Sequence, residues 1–377
     1  MTRILRAPSK YIQGSGAIGE IGKYASALAK KPAPRRWWQL GTRRSKALVI
    51  GGKRALAAAQ SAIESSLGEA GVGVVVEGFR GESSQTEIKR LMGVAKDNGA
   101  DLVIAVGGGK VIDTGKAVAC DLGLPVIIVP TIAATDAPCS ALSVIYTDDG
   151  VFESYKVTPT NPNCVLVDTD IIAKAPVRTL VSGMGDALAT FWEADTCYKS
   201  QKPNVLTGGT PPTEVAYMLA RLCYDTLLNY GVEAKFSAER KVITPALEKV
   251  VEANILLSGL GFESGGLAGA HAIHDGFTAL PATHEKYHGE KVAFGTLVQL
   301  VMEGRSREQI SEVVNFCKSV GLPTNLKGLG IADPSEEDIM KVAKFTTGEG
   351  MVIHSTWFPV TAEMVYAAIW TADAIGS

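Results

Sequence analysis

A chain of 377 residues, 46% hydrophobic and 20% charged, is too long for one ordinary core and too apolar for a disordered protein, so two globular domains are expected. Its net charge of −2 gives no broad attraction to nucleic acid or to an anionic membrane surface. The longest apolar run, "LPVIIVPTIAA", is broken by prolines and falls short of the roughly 18–20 residues that cross a bilayer.

The N-terminal stretch "MTRILRAPSKYIQGSG" lacks the apolar core and cleavage motif of a signal peptide. Six scattered cysteines (Cys120, Cys139, Cys164, Cys197, Cys223 and Cys317) form no C-x-x-C pair. Reduced, buried thiols in a cytoplasmic protein are therefore expected. An extended "KYIQ" leads into "GSGAIG" (Gly14 to Gly19) and the helical "EIGKYASALAK". This is a literal G-x-G-x-x-G, but a dinucleotide fingerprint needs a βαβ unit and an acidic residue about 20 positions on. That region reads "PAPRRWW", and the lead-in is too short and polar for a buried parallel strand. A turn and helix start is expected, not a cofactor loop. Next, "KKPAPRRWWQLGTRRSK" (30–46) carries seven basic residues and two tryptophans. Without a wider basic field it reads as a solvated loop packed on the domain or on a neighbouring subunit, not as a nucleic-acid contact.

From residue 47 short β-branched runs alternate with amphipathic segments. Strands are predicted at 47–52, 71–79, 100–109, 124–131 and 163–170, with a hairpin over 141–157 turning at Asp149-Gly150. Such alternation implies a parallel, Rossmann-like sheet. After about residue 175 apolar residues recur at three- and four-residue spacing, which predicts helices only. The expected organisation is an α/β nucleotide-binding domain over 1–175 and an all-α domain over 176–377.

Within the α/β part, "GGGK" (Gly107, Gly108, Gly109, Lys110) follows an apolar strand and opens a helix. Glycines there let backbone approach a ligand, and a helix N-terminus favours phosphate. It is not a P-loop, because Gly109 and Gly115 are one residue too far apart and Ala117 replaces the metal-binding hydroxyl. The loop "PTIAATDAPCSALSVIY" (130–146) follows the next strand and carries Thr131, Ser140 and Asp136. Loops at the carboxyl ends of successive parallel strands suggest one nucleotide crevice.

Four of the five histidines fall in "HAIHDGFTALPATHEKYHGEK" (271–291). The stretch "ESGGLAGAHAIHDGFTAL" reads as helical, which places His271 and His274 on one face. His284 reads as a solvated loop residue, and His288 lies on a returning loop. Two imidazoles plus a distant carboxylate would hold zinc with a position left open. The candidate carboxylate is Asp186, read as standing at a helix start behind Gly183 and Gly185. Glu193, two turns further on, reads as an ion-pair partner and not as a ligand. An H-x-x-H pair alone is weak, and composition does not close the site.

Together, "KYIQG", "GGGKVIDTGKA", "PTIAATDAPCSALSVIYTDDG", "GMGDALAT", "GFESGGLAGAHAIHDGFTAL" and "HGEKVAFGTLVQL" resemble the glycerol dehydrogenases of the metal-dependent, iron-containing polyol and alcohol dehydrogenase superfamily. The resemblance runs from near residue 10 to near residue 370. It implies a nucleotide-binding α/β domain and a helical domain, with zinc and nicotinamide in the cleft between. It also implies Asp186, His271 and His288 as metal ligands, and Thr190 where related enzymes have a fourth, histidine ligand. Asp136, contacting glycerol hydroxyls, and His274, supporting a ligand or facing substrate, make up the implied catalytic set. Gly107, Gly108, Gly109, Lys110, Thr131, Ser140, Leu142 and Tyr146 would line the cofactor, beside Gly52 and Ala134. The implied reaction is oxidation of glycerol or a related vicinal diol to the hydroxyketone, dihydroxyacetone from glycerol, with hydride transfer to NAD. The implied partners are a small polyol and further copies of the chain, in an oligomer of open size.

Two departures stand out. Gly52, followed by Lys53 and Arg54, occupies the place of the family aspartate that holds the adenosine ribose, a pattern that can admit the 2′-phosphate of NADP. Ala134 replaces a family serine. The rival expectation, a zinc- and NAD-using lyase of the dehydroquinate synthase type, needs a basic cluster for a phosphorylated substrate, and the candidate pocket is poor in Lys and Arg. A non-enzymatic binding protein would require a broken ligand set, and the three positions are intact.

Overall fold

Runs of Val, Ile and Leu flanked by helices give this chain a parallel sheet in its first half. The computed structural model describes residues 2–29 and 44–377, so most of the basic 30–46 segment lies outside the described residues. The chain divides into two units. One comprises Ala7–Ala133 and Ala137–Ala175; the other comprises the N-terminal residues up to Arg6, Ala134–Asp136 and Pro176–Ser377.

In the α/β unit the elements run β1 (Tyr11–Gly14), α1 (Ile21–Leu28), β2 (Lys46–Gly51), α2 (Lys53–Glu69), β3 (Gly73–Gly78), α3 (Gln85–Asn98), β4 (Leu102–Gly107), α4 (Gly109–Leu122), β5 (Val126–Pro130), β6 (Leu142–Tyr146), β7 (Phe152–Val157), β8 (Cys164–Asp168) and α5 (Thr169–Lys174). Six strands form one sheet in the order β1-β8-β5-β4-β2-β3, every neighbouring pair parallel. Central strands β4, β5 and β8 are buried along their whole length, which is why they read as unbroken apolar runs. Edge strands β1 and β3 are only half-buried. The polar "YIQG" lead-in therefore does form a parallel strand, tolerated because it sits at the edge and pairs only with β8. Strands β6 and β7 form a separate antiparallel pair, turning at Gly150.

The sheet order contains one reversal. From β2 the chain steps outward to β3, then returns to β4 on the opposite side of β2. Diverging connections leave a crevice at the carboxyl ends of the two strands, where open α/β sheets bind ligands. Here those ends are Gly51-Gly52 and Gly107-Gly108.

The other unit is helical: α6 (Val177–Ser200), α7 (Glu214–Glu239), α8 (Pro245–Glu252), α9 (Ser258–Gly265), α10 (Gly269–Phe277), α11 (His288–Met302), α12 (Arg307–Val320), α13 (Glu336–Thr346) and α14 (Ala362–Gly376). Helix α6 is buried over most of its length and packs on α7 and α11, while α11 packs on α10. A Cβ on Gly289 would lie 1.8 Å from the Ser182 carbonyl oxygen, and one on Gly185 would lie 2.3 Å from that of Gly289. Only glycine lets the α6 and α11 backbones touch there, and each glycine adjoins a candidate ligand, Asp186 or His288. Among the described residues no helix is long and apolar enough to cross a membrane.

Candidate active site

The sequence reading of three helical details needs correction. Asp186 is not at a helix start: α6 begins at Val177, and Gly183 and Gly185 lie inside it, Gly185 admitting α11. The "ESGGLAGAHAIHDGFTAL" segment is not one helix. It breaks after α9, where Gly266 adopts φ +100°, and α10 begins at Gly269. His288 is the first residue of α11, not a loop residue.

These breaks aim the side chains. Asp186, 1% exposed, points its Oδ1 at His271 Nε2 (3.3 Å) and at His288 Nε2 (3.1 Å). That oxygen makes no hydrogen bond. One donor atom from each of the three residues lies within 4.8 Å of the others. A buried carboxylate oxygen facing two imidazole nitrogens demands a positive charge, supplied by a ring proton or a cation. Burial works to raise the Asp186 carboxyl, but His288 and His271 outweigh it and hold it well below the ordinary carboxylate range. Burial works to lower His271, and the charges of Glu193 and Asp186 overcome it, pushing that imidazole well above its usual value. Two imidazoles and a carboxylate are the donor set of a divalent metal site of the zinc type, so the residues present fit a metal ion.

Glu193, fully buried, is the ion-pair partner the sequence suggested, and its partner is His271. Its Oε2 lies 2.6 Å from His271 Nδ1, and its Oε1 accepts the N–H groups of Ala268 (2.9 Å) and His271 (3.0 Å). The break before α10 thus exposes helix N-terminal donors to a carboxylate from α6, which closes that terminus. His274 is buried with both ring nitrogens engaged: Nδ1 lies 3.0 Å from Asp275 Oδ1 and Nε2 lies 3.0 Å from His288 Nδ1. Burial, reinforced by His288, pushes its pKa down to about 3. His284 is exposed on the Thr278 carbonyl, away from the cluster.

Asp136 groups with the helical unit, as does Ala134. Its N–H donates to Asp186 Oδ2 at 3.4 Å, and its Oδ2 accepts from Ser258 Oγ at 2.7 Å. Ser258 in turn shares a 2.8 Å bond with Thr190, the residue standing where related enzymes have a histidine. A π-turn over Ala253–Leu257, placed between α8 and α9, immediately precedes Ser258; such turns re-aim side chains and recur at functional sites. Burial, reinforced by the Asp186 charge, drives the Asp136 carboxyl well above its ordinary value. Neither Ser258 nor Asp275 was singled out from the sequence. Asp275 was legible only as the neighbour of His274, and nothing in the pattern marks a serine after a π-turn.

The candidate cofactor residues of the α/β unit surround the reversal in the sheet. Gly52 caps α2, and Gly108 caps α4; neither helix N-terminus has a side-chain cap. Thr131 follows β5 and donates its N–H to the Gly107 carbonyl. Lys110 is exposed, paired with Glu82, and lies 5.9 Å from the Tyr146 ring centroid. Ser140 and Leu142 are held by a residue the sequence reading passed over. Lys116, buried beside Asp113 (2.9 Å), donates to the carbonyls of Ala137 (2.9 Å), Ser140 (3.4 Å) and Leu142. At the other glycine motif, the N–H of Ile18 donates to the buried carboxylate of Asp168 at 2.9 Å.

Residues 8–169 match the family model described as iron-containing alcohol dehydrogenase, which makes the class an oxidoreductase. The glycerol dehydrogenase of Citrobacter freundii is 48% identical over 376 residues, covering 100% of this chain and 98% of that protein. Among solved structures, a probable glycerol dehydrogenase from Sinorhizobium meliloti superposes with a TM-score of 0.91 at 42% identity, over 100% of this chain and 99% of that one. The glycerol dehydrogenase of Schizosaccharomyces pombe superposes with a TM-score of 0.92 at 38% identity, over 100% and 91%. The chain belongs to the glycerol dehydrogenases of the iron-containing alcohol dehydrogenase family.

Proposed function

We propose that the chain oxidises glycerol and related vicinal diols to the hydroxyketone, dihydroxyacetone from glycerol, passing a hydride to NAD with zinc held by Asp186, His271 and His288. The observation that carries this reading is the buried Asp186 oxygen, without a hydrogen bond, facing two imidazole nitrogens. A zinc ion held there would supply Lewis acidity toward a substrate hydroxyl.

The protein groups do the rest. Asp136, whose carboxyl is pushed above its ordinary range by burial and by the Asp186 charge, accepts Ser258 on Oδ2 and hydrogen-bonds a second substrate hydroxyl. A diol thereby gains a partner that a simple alcohol lacks. Asp186, His271 and His288 would hold the cation that the site requires. In the α/β unit, the uncapped N-terminus of α4 at Gly108 would receive the cofactor pyrophosphate, and Lys116 holds the loop bearing Ser140 and Leu142. Gly52, with Lys53 and Arg54 after it, leaves room for NADP beside NAD. Six cysteines without a disulfide suit a reducing compartment, and we place the protein in the cytoplasm as a homo-oligomer.

The test is glycerol-dependent reduction of NAD, followed by nicotinamide absorbance before chelation, after chelation and after zinc is returned. Activity lost and then restored supports the reading. Absence of turnover with glycerol and with 1,2-propanediol in the zinc-loaded protein would sink it.

A further inference from the structure

His274 and Asp275 lie outside the three candidate ligands, yet the hydrogen bonds connect them to one. A carboxylate only accepts, so Asp275 Oδ1 takes the proton on His274 Nδ1 across 3.0 Å. The lone pair that the proposed metal site needs on His288 Nε2 puts that ring's proton on Nδ1, facing His274 Nε2 as its acceptor. Across the next 3.0 Å contact, His288 Nδ1 must be the donor. That assignment leaves His288 Nε2 as a bare lone pair, and this is the nitrogen 3.1 Å from Asp186 Oδ1. The opposite direction would put a proton on His288 Nε2, where it would block a metal ion. The rings are fixed as well as polarised: His274 and His288 meet edge to face with centroids 4.3 Å apart.

The same arrangement occurs once more, in shorter form. Glu193 Oε2 takes the proton on His271 Nδ1 at 2.6 Å, and His271 Nε2 faces the same Asp186 oxygen. Two chains of hydrogen bonds, each starting at an acidic side chain, therefore converge on one point with Nε2 outward. Carboxylate partners of metal-bound histidines orient the ring and raise its basicity; here one of the two carboxylates acts through a second imidazole.

We propose that His274 is a positioning residue: with Asp275 behind it, it fixes the orientation and tautomer of His288 and so sets the affinity of the metal site. This rests on the metal-site reading above, and the experiment separates the two. Zinc affinity is measured on the full-length protein by competition with a chromogenic chelator, and ring protonation on zinc-loaded, 15N-histidine-labelled protein by NMR. His274→Phe keeps a ring of similar size but removes the acceptor, and it should weaken zinc binding by about 10–100-fold. His274→Gln, whose amide oxygen can accept from His288, should recover most of that loss, and His284→Ala should change nothing. In the native protein His288 should carry its proton on Nδ1. Cobalt substituted for zinc should show an altered visible spectrum in His274→Phe, which a merely structural role would not produce. Should His274→Phe lose its far-UV circular dichroism, Asp275→Leu takes its place, with a loss of at least about tenfold. Zinc binding within twofold of native in the folded variant, or a proton on His288 Nε2, overturns the proposal. A native protein that binds no zinc overturns the metal-site reading and this proposal with it.

Discussion

The α/β unit contains two glycine-rich turns that each lead from a parallel strand into a helix, and they differ in strand position and in what their N–H groups meet. "GSGAIG" fits the dinucleotide pattern by spacing, yet it leaves edge strand β1, remote from the reversal in strand order. Its Ile18 N–H donates to the buried Asp168 carboxylate. "GGGK" fits no complete motif, yet it leaves central strand β4 at the reversal and opens α4 with no side-chain cap. A phosphate needs donors that are still free. What separates the two turns is thus strand position and the presence of an internal carboxylate, neither of which is visible in a six-residue pattern.

The sharpest way to break this contrast is to remove the carboxylate. Asp168 accepts from Ile18 through Oδ2 and from Asp170 through Oδ1, both at 2.9 Å, so Asp168→Ala leaves two donors unsatisfied. Chemical denaturation should show a loss of about 2–4 kcal/mol. Cofactor affinity, measured by fluorescence titration under native conditions, should stay within about twofold, a change of under 1 kcal/mol. A parallel fall in affinity would mean that the edge turn binds cofactor after all.

The converse experiment gives the binding turn the feature that silences the other. Gly108 has φ −99° and ψ −172°, an extended conformation open to any residue. A Cβ there would meet only the flexible end of Ile132, at 2.8 Å. Gly108→Asp should therefore fold, cap α4, and place a carboxylate where we propose that the pyrophosphate docks. Loss of the helix-terminus interaction is worth up to about 2 kcal/mol, or roughly thirtyfold in cofactor dissociation constant. The melting temperature should not fall. Unchanged affinity would remove the α4 terminus from the cofactor site.

Legibility in the sequence followed the same line. Strands β2, β4, β5 and β8 and the helical second half could be read because burial on both faces gives continuous Val/Ile/Leu runs and burial on one face gives helical periodicity. The edge strand β1 was discounted because half-burial permits Gln13 and Gly14. The cluster of Asp186, His271 and His288 came from resemblance, since no local spacing joins a residue in α6 to one in α11. Its physical cause, Gly185 against Gly289, is long-range contact that sequence periodicity does not encode. The break at Gly266 was missed because its neighbours "ESGGLAGA" satisfy a helical pattern. The reason for the break, the N-terminus of α10 meeting Glu193, exists only once α6 is in place.

The smallest effect belongs to the other side of the reversal, at Gly52. Its backbone is extended (φ −73°, ψ 157°), no atom lies within 4 Å of an added Cβ, and it caps α2 without a side-chain bond. Glycine is therefore not required by the fold, and the position is free to be set by the ligand. Lys53 and Arg54, both exposed in the first turn, add positive charge at a terminus that is already positive, which an anionic group would relieve. Gly52→Asp supplies that anion from the protein. It should stabilise α2 by about 0.5 kcal/mol. It should also raise the ratio of kcat/KM for NAD over NADP by about tenfold, close to 1.4 kcal/mol, since a carboxylate accepts from ribose hydroxyls and repels a 2′-phosphate. If the helix is stabilised while the ratio stays put, Gly52 does not face the adenosine ribose. The β2 end of the crevice would then be a structural turn, like the one at Gly14.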